Sequence, residues 1–231
     1  MRNTVLVSLF LFLAAPSWGT TIYNTGVNDS GVSLPSGAID PHYTLVSSPD
    51  GFGPAAFVVI DGEFPFVPFF PGNPVWLPNS SISKWIGPVA DGRTMIGGPP
   101  GEYIFETTFD LSANEVGTAE LLGRLASDNS SEIFLNGVDT GMGASGGAAC
   151  CFDHYTGFQI SSGFVQGVNR LDFAVTNTDC GPKCLNPAGL RVEINLTAVP
   201  EATTFVYCLT CLLLGFKLFR RYSSNCRSQT D

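Results

Sequence analysis

The sequence predicts an all-β body, an antiparallel two-sheet sandwich or jelly roll, and three observations carry that expectation. Apolar and polar residues alternate with a period of two along the middle of the chain, and no window there sustains a 3.6-residue period. A total of 26 Gly and 16 Pro divide the sequence into short segments. Hydrophobic residues make up 44% and charged residues 13%, a balance that suits a loop-rich β protein better than a helical one. A chain of 231 residues has room for one domain of roughly 150 to 200 residues plus accessory segments.

Residues 1–19 read as a secretory signal peptide. Arg2 supplies the positive start, Val5 to Ala15 the apolar run, and Ser17-Trp18-Gly19 the small-x-small cleavage site. The alternative, a membrane-spanning helix, needs a longer apolar run. The body, residues 20–199, is then expected to fold outside the cytosol, where disulfides persist.

Taken in order, residues 20–40 are rich in Gly, Ser and Asn and predict a loop or a weak edge strand. Tyr43, Leu45 and Ser47 share one face of the next segment, which ends at a Pro-Asp-Gly turn, and Ala55 to Ile60 reads as a short buried strand. Residues 64–79 contain five prolines, which rule out a central strand. An extended loop packing its aromatics against the sandwich is expected there. Ser83 to Ile86 is a candidate strand, followed by a Pro/Gly loop to Gly101.

The clearest alternation runs from Glu102 to Gly137, the stretch around which the other elements are arranged. Tyr103, Phe105, Thr107, Phe109 and Leu111 fall on one face, and Leu121, Gly123 and Leu125 repeat the pattern after a break at Gly117. Asp128 to Ser131 reads as a turn, Ile133 and Leu135 as a short strand, and Asn136-Gly137 as the next turn. Gly143 to Asp153 is a small-residue loop. Phe158 to Phe164 is a strand, and Val168 to Thr176 a stronger one with Leu171, Phe173 and Val175 facing inward. The last strand places Leu190, Val192, Ile194 and Leu196 on one face. About eight strands at such spacing point to a sandwich.

Charge narrows the function. Residues 20–200 hold 18 Asp and Glu against 6 Lys and Arg, a formal −12. Nucleic-acid phosphates call for clusters of Lys and Arg, so nucleic acid is excluded as a partner. Anionic lipid is a poor partner for the same reason, and the acidic surface is explained by solubility.

The four cysteines of the body are disulfide candidates. Cys150 and Cys151 lie in one loop, Cys180 and Cys184 in another. Three pairings are open, and bonding the vicinal pair strains the geometry a disulfide prefers. Two bridges clamping residues 143–155 to 178–187 are therefore expected. A zinc site built from these thiols and His154 is the rival, but the spacing matches no known ribbon or finger. The expectation is no metal and no cofactor.

No GxSxG, HExxH or Ser/His/Asp arrangement is present, and no catalytic residue is assigned. His42 reads as structural, and His154 stands between Asp153 and Tyr155. A carbohydrate site needs a flat ring and a few amide or carboxylate partners. Trp76, Trp85 and Tyr155 offer rings, and Asp128, Asn129 and Arg191 offer polar contacts. Each also has a structural role to fill: Trp85 suits a core strand, and Asp128 and Asn129 suit a turn's local hydrogen bonds.

Residues 200–231 form a separate unit. The run from Thr203 to Phe219 is apolar on all sides and is followed by Arg220 and Arg221. As a helix it spans roughly 26 Å, just short of the ~30 Å hydrocarbon core of a bilayer. Lys217 can snorkel, and the arginines mark the cytoplasmic side. One transmembrane helix over about 203–219 is expected, with a basic end at 220–231. A GPI signal would instead end apolar.

This tail resembles the PEP-CTERM sorting signal of Gram-negative bacteria: Val199-Pro200-Glu201, one hydrophobic helix, then Arg220-Arg221. The usual second proline is Ala202 here, and a polar segment follows the arginines. The resemblance implies an exosortase-type processing enzyme as a partner, with anchoring in the inner membrane before any cut. The destination is then the cell surface or extracellular matrix.

The segments DPHYTLVSSPDG, TTFDLS, GRLASDNSSEIFLNG, SSGFVQGVNRLDFAVTN and GLRVEI resemble the exported domains that precede such tails. The body also resembles a galactose-binding-like sandwich, in which an Asp-Asn turn and an "LNG" strand recur in carbohydrate-binding modules. Together these imply a non-catalytic surface or matrix protein that binds extracellular polysaccharide. A polysaccharide-acting envelope enzyme and a protein-binding adhesin are the alternatives.

Overall fold

The computed structural model describes residues 21–49, 51–68, 71–72, 75–94, 99–146, 150–181 and 185–199. The expected signal peptide, Pro200, Glu201, the 203–219 helix and Arg220-Arg221 lie outside these residues, as does Cys184. Within them the protein is all-β. Ten strands are formed: β1 (Ile39–Ser47), β2 (Ala55–Val58), β3 (Ile86–Gly87), β4 (Gly101–Leu111), β5 (Glu120–Asp128), β6 (Ser130–Leu135), β7 (Val138–Ala144), β8 (Thr156–Ile160), β9 (Gly167–Asn177) and β10 (Gly189–Thr197). All pairings among them are antiparallel.

The strands form one continuous sheet in the order β7-β6-β9-β4-β1-β2-β3-β10-β5-β8. The short strands β2 and β3 carry the sheet round a corner. As a result β5 and β10 pack over β9, and the end strands β7 and β8 approach each other. The sandwich is thus one folded sheet rather than two separate ones. Each layer is built on a long ladder, β4 with β9 from Gly101↔Asn177 to Leu111↔Gly167, and β5 with β10 from Asp128↔Gly189 to Glu120↔Thr197.

Alternation decides what enters the core. Tyr103, Phe105, Phe109 and Leu111 of β4, Leu171, Phe173 and Val175 of β9, and Leu190 and Val192 of β10 are all buried, as their spacing predicts. Phe173 is fully enclosed, with its ring tilted against Tyr43 at 6.3 Å and edge-on to Phe158 at 6.2 Å. Ile194 was expected in this core but is only half-buried.

Three local expectations change. First, β7 falls between the expected Asn136-Gly137 turn and the small-residue loop, over residues given no element, and runs into the first two residues of that loop; its glycines and threonine hide its strand character. Second, the turn at Asp128 to Ser131 does not join two adjacent strands. β5 and β6 are not neighbours, and the turn carries the chain from one layer to the other. Third, the disulfide clamp between the two cysteine loops is not made, because Cys150 bonds Cys151. Cys151 is buried with φ of 75°, and its carbonyl accepts from the Ser127 amide at 3.0 Å. That local turn brings the adjacent sulfurs together and leaves neither for the other loop. Cys180 is also disulfide-bonded.

The proline-rich loop does pack its aromatics on the sandwich, against the outer face of the β3-β10-β5 layer. Trp76 and Trp85 stack there at 4.2 Å, forming a second small core with Val59, Ala126 and Phe152. Trp76 lies over Gly189, where a Cβ would fall 2.2 Å from its ring. The last described residue, Val199, is tethered to Thr118: its amide donates to Thr118 Oγ1 at 3.0 Å and its carbonyl accepts from the same hydroxyl at 2.6 Å.

Candidate functional site

The two end strands, β7 and β8, face each other without pairing. Between them lies a groove of about 280 Å³. Leu135 and Ile160, both buried, contribute apolar lining. Exposed Val138 and Met142 add more on the β7 side, while Asp139, Thr140, Gln159, Ser161 and Ser162 supply polar groups. That volume is close to the lower bound of about 300 Å³ for small-molecule sites.

Local sequence explains the shape. Asn136-Gly137 forms the two-residue turn between β6 and β7, with φ of 54° and 78°, as a type I′ hairpin requires. Further along β7 the register shifts: Glu132 faces Gly143 and Phe134 faces Asp139, so Ile133 alone opposes Thr140, Gly141 and Met142. This bulge re-aims the strand beside the groove. Gly143 permits it, since a Cβ there would meet the Ser131 carbonyl oxygen at 2.0 Å. Thr140 Oγ1 donates to the Ile133 carbonyl at 2.7 Å and Asp139 Oδ1 accepts from the Gly141 amide at 2.8 Å, bracing the bulge.

The loop after β8 is fixed to the hairpin. Asn136 Nδ2 donates to the Gly163 carbonyl and to Asn169 Oδ1, each at 3.0 Å. Fully buried Asn169 in turn accepts from the Val165 amide and donates to the Val165 carbonyl, both at 2.8 Å. The groove wall is therefore held in place before any ligand arrives. On the β8 side Gln159 Nε2 donates to Glu120 Oε1. Ser161 and Ser162, both exposed, line the groove, and among the described residues no hydrogen bond to protein engages either hydroxyl.

None of these lining residues belongs to the set expected from sequence. Trp76, Asp128, Asn129, Tyr155 and Arg191 lie elsewhere, and four of them are buried. Trp76 cannot offer its face to a sugar, since it is stacked on Trp85 and its Nε1 donates to Asp128 Oδ2 at 2.7 Å. Burial pushes the Asp128 carboxyl up to about 7, against the lowering effect of that hydrogen bond. Asn129 Oδ1 accepts from the Thr178 amide at 2.7 Å, a contact across 49 residues rather than within a turn.

Arg191 is 2% exposed because the proline-rich loop covers it. Its Nε donates to Ser83 Oγ at 2.8 Å, Nη2 to Ser80 Oγ at 2.9 Å, and Nη1 to the Pro78 carbonyl. Tyr155 donates to Glu193 Oε1 at 2.8 Å and has the Arg124 guanidinium 4.3 Å from its ring centre. Burial pushes its hydroxyl up to about 12. Burial also raises the Glu193 carboxyl, but hydrogen bonds from Ser83, Tyr155 and Arg124 outweigh it and hold the group low. Trp76, Asp128, Tyr155 and Arg191 thus fix residues 76–83 to the outer face of the sheet, while Asn129 ties the end of β5 to the residues after β9.

The other sequence candidates resolve simply. His154 and Asp153 pair at 2.6 Å on the surface, with Tyr155 engaged elsewhere. His42 stacks on Tyr23 at 3.7 Å. The zinc alternative loses two thiols to the Cys150–Cys151 bond, and among the described residues no three His, Cys, Asp or Glu side chains converge on a metal position.

No protein-family model matches this chain, and no curated protein matches it. Solved structures do. A family 35 carbohydrate-binding module from Paenibacillus barcinonensis is 12% identical with a TM-score of 0.30, the match covering 52% of this chain and 83% of that one. A family 35 module from an environmental isolate is 12% identical with a TM-score of 0.25, over 44% of this chain and 74% of that one. A rhamnosidase from Novosphingobium sp. PP1Y is 16% identical with a TM-score of 0.25, over 41% of this chain and only 11% of its own length. These are loose likenesses and do not bear on this chain's ligand.

Proposed function

We propose that this is an exported, non-catalytic protein of the cell surface or extracellular matrix that binds polysaccharide through the β7–β8 groove. The observation that supports the reading is the mixed lining. Sugars present C–H faces and hydroxyls together, and the groove sets Val138, Met142 and Ile160 beside Asp139, Gln159, Ser161 and Ser162. Recognition by a few placed polar groups in an apolar lining is the usual design of a small-ligand site.

Export and display rest on the signal-like residues 1–19 and the PEP-CTERM-like residues 199–231. In this reading the tail holds the body at the membrane, since carrying Arg220 and Arg221 through hydrocarbon is costly, and an exosortase-type enzyme acts near Pro200-Glu201.

Two experiments test the reading. Polysaccharide pull-down run beside a reducing-sugar release assay should show retention without hydrolysis, and release of reducing ends would move the protein to the enzymes. Deleting Thr203 to Asp231 should shift the protein from the membrane to the soluble extracytoplasmic fraction in a host lacking exosortase. Identical fractionation of the two forms would remove the anchor.

A further inference from the structure

The polysaccharide-binding reading can be narrowed to a ligand class. We infer that the β7–β8 groove takes an uncharged glycan and turns away uronate-bearing ones. This inference rests on that reading.

The groove is rich in acceptors and negative in charge. Asp139 is its one acidic lining residue, and with Oδ1 engaged by the Gly141 amide its second oxygen is left as an acceptor. Gln159 lines the groove with its amide nitrogen committed to Glu120, so its side chain has only an acceptor left to offer and a second carboxylate is brought close. A carboxylate accepts hydrogen bonds and donates none. Sugar hydroxyls donate, so a neutral glycan satisfies both oxygens, while Ser161 and Ser162 both donate and accept.

A uronate would bring another acceptor-only anion into this setting. No lysine or arginine lines the groove among the described residues. Arg170 Nη2 lies near Gly137 at the hairpin tip, but the charge of this guanidinium is offset by two carboxylates, Asp172 at 3.1 Å and Glu106 at 3.5 Å from Nε. The body as a whole carries the formal −12. Repulsion at close range, with no cation to offset it, sets the selectivity.

The test uses the purified full-length chain in mild detergent, titrated calorimetrically at about 0.15 M salt. The probes are a neutral galactan, a neutral glucan, polygalacturonate and alginate. At least one neutral polymer should bind and both uronates should not. Asp139→Asn keeps an acceptor for the Gly141 amide and should weaken neutral binding by about ten-fold, as loss of a charged hydrogen bond does. Asp139→Lys should admit the uronates. Unchanged thermal melts would show that these exposed substitutions leave the fold intact.

Uronate binding that equals or exceeds neutral binding would overturn the inference and leave the polysaccharide reading standing. Neutral binding that ignores both Asp139 variants and a Ser161→Ala/Ser162→Ala double variant would also overturn it, by placing the site elsewhere. If none of the four polymers binds, the polysaccharide reading itself fails.

Discussion

Asn136 Nδ2 and Asn169 Oδ1 meet at 3.0 Å, joining the tip of the β6–β7 hairpin to the start of β9. The same two side chains also hold the Arg170 amide, the Gly163 carbonyl and both polar groups of Val165. One pair of amide side chains, buried Asn169 and half-buried Asn136, thus sets the end wall of the groove and the entry to the longest ladder of the core.

Asn169→Ala should therefore cost about 2 kcal/mol, because it removes the partner of the Val165 amide, the Val165 and Gly167 carbonyls and the Asn136 side chain, all part-buried. Urea unfolding would read this as a lower midpoint with an unchanged slope. A loss below about 0.5 kcal/mol would show that water replaces the side chain without penalty. The same variant should weaken glycan binding by loosening the loop that carries Ser161 and Ser162.

Phe173→Ala empties a fully buried position between Tyr43 and Phe158, and the expected cost is about 3–5 kcal/mol. Thermal unfolding of the variant beside the parent measures it. A substitution without effect would mean that this ring does not sit in the core.

Asp128 gives stability a pH dependence. Its carboxyl is raised from 3.8 to about 7 by burial, although the Trp76 hydrogen bond opposes the rise. Between about pH 4 and 7 the folded protein keeps a proton that the unfolded chain has lost. Stability should fall as pH rises through that window and level off above it. Glu193, held low, works in the opposite sense and its contribution is lost in acid. Asp128→Asn still accepts from Trp76 and removes only the first effect, so its unfolding free energy relative to the parent should improve steadily from pH 4 to 7. A flat difference across that range would refute the buried, protonated carboxyl.

Arg191→Ala removes three bonds to residues 78–83 and leaves Glu193 with Arg124 alone as cationic partner. Losing three hydrogen bonds made by a buried guanidinium costs about 3 kcal/mol. Limited proteolysis should cut the proline-rich loop faster in the variant. Equal cleavage rates would show that the Trp76–Trp85 stack holds the loop unaided.

The sequence alone determined the layers of this protein. Period-2 alternation along 102–111, 168–176 and 190–192 assigned the buried faces, because successive strand side chains must point to opposite sides. Asn136-Gly137 declared its hairpin, because few residue pairs accept two positive φ values in succession. Those are local constraints, and a local reading recovers them. The tertiary structure decided what depends on long-range meeting. Arg191 and Asp128 stand on the polar side of their strands and read as exposed until a proline-rich loop, more than 40 residues away, closes over them. Cys150 found Cys151 because a turn at a positive φ brought the sulfurs together, which spacing alone does not announce. The groove left no mark in the sequence, since it exists only where the two ends of a folded sheet approach and stop short of pairing.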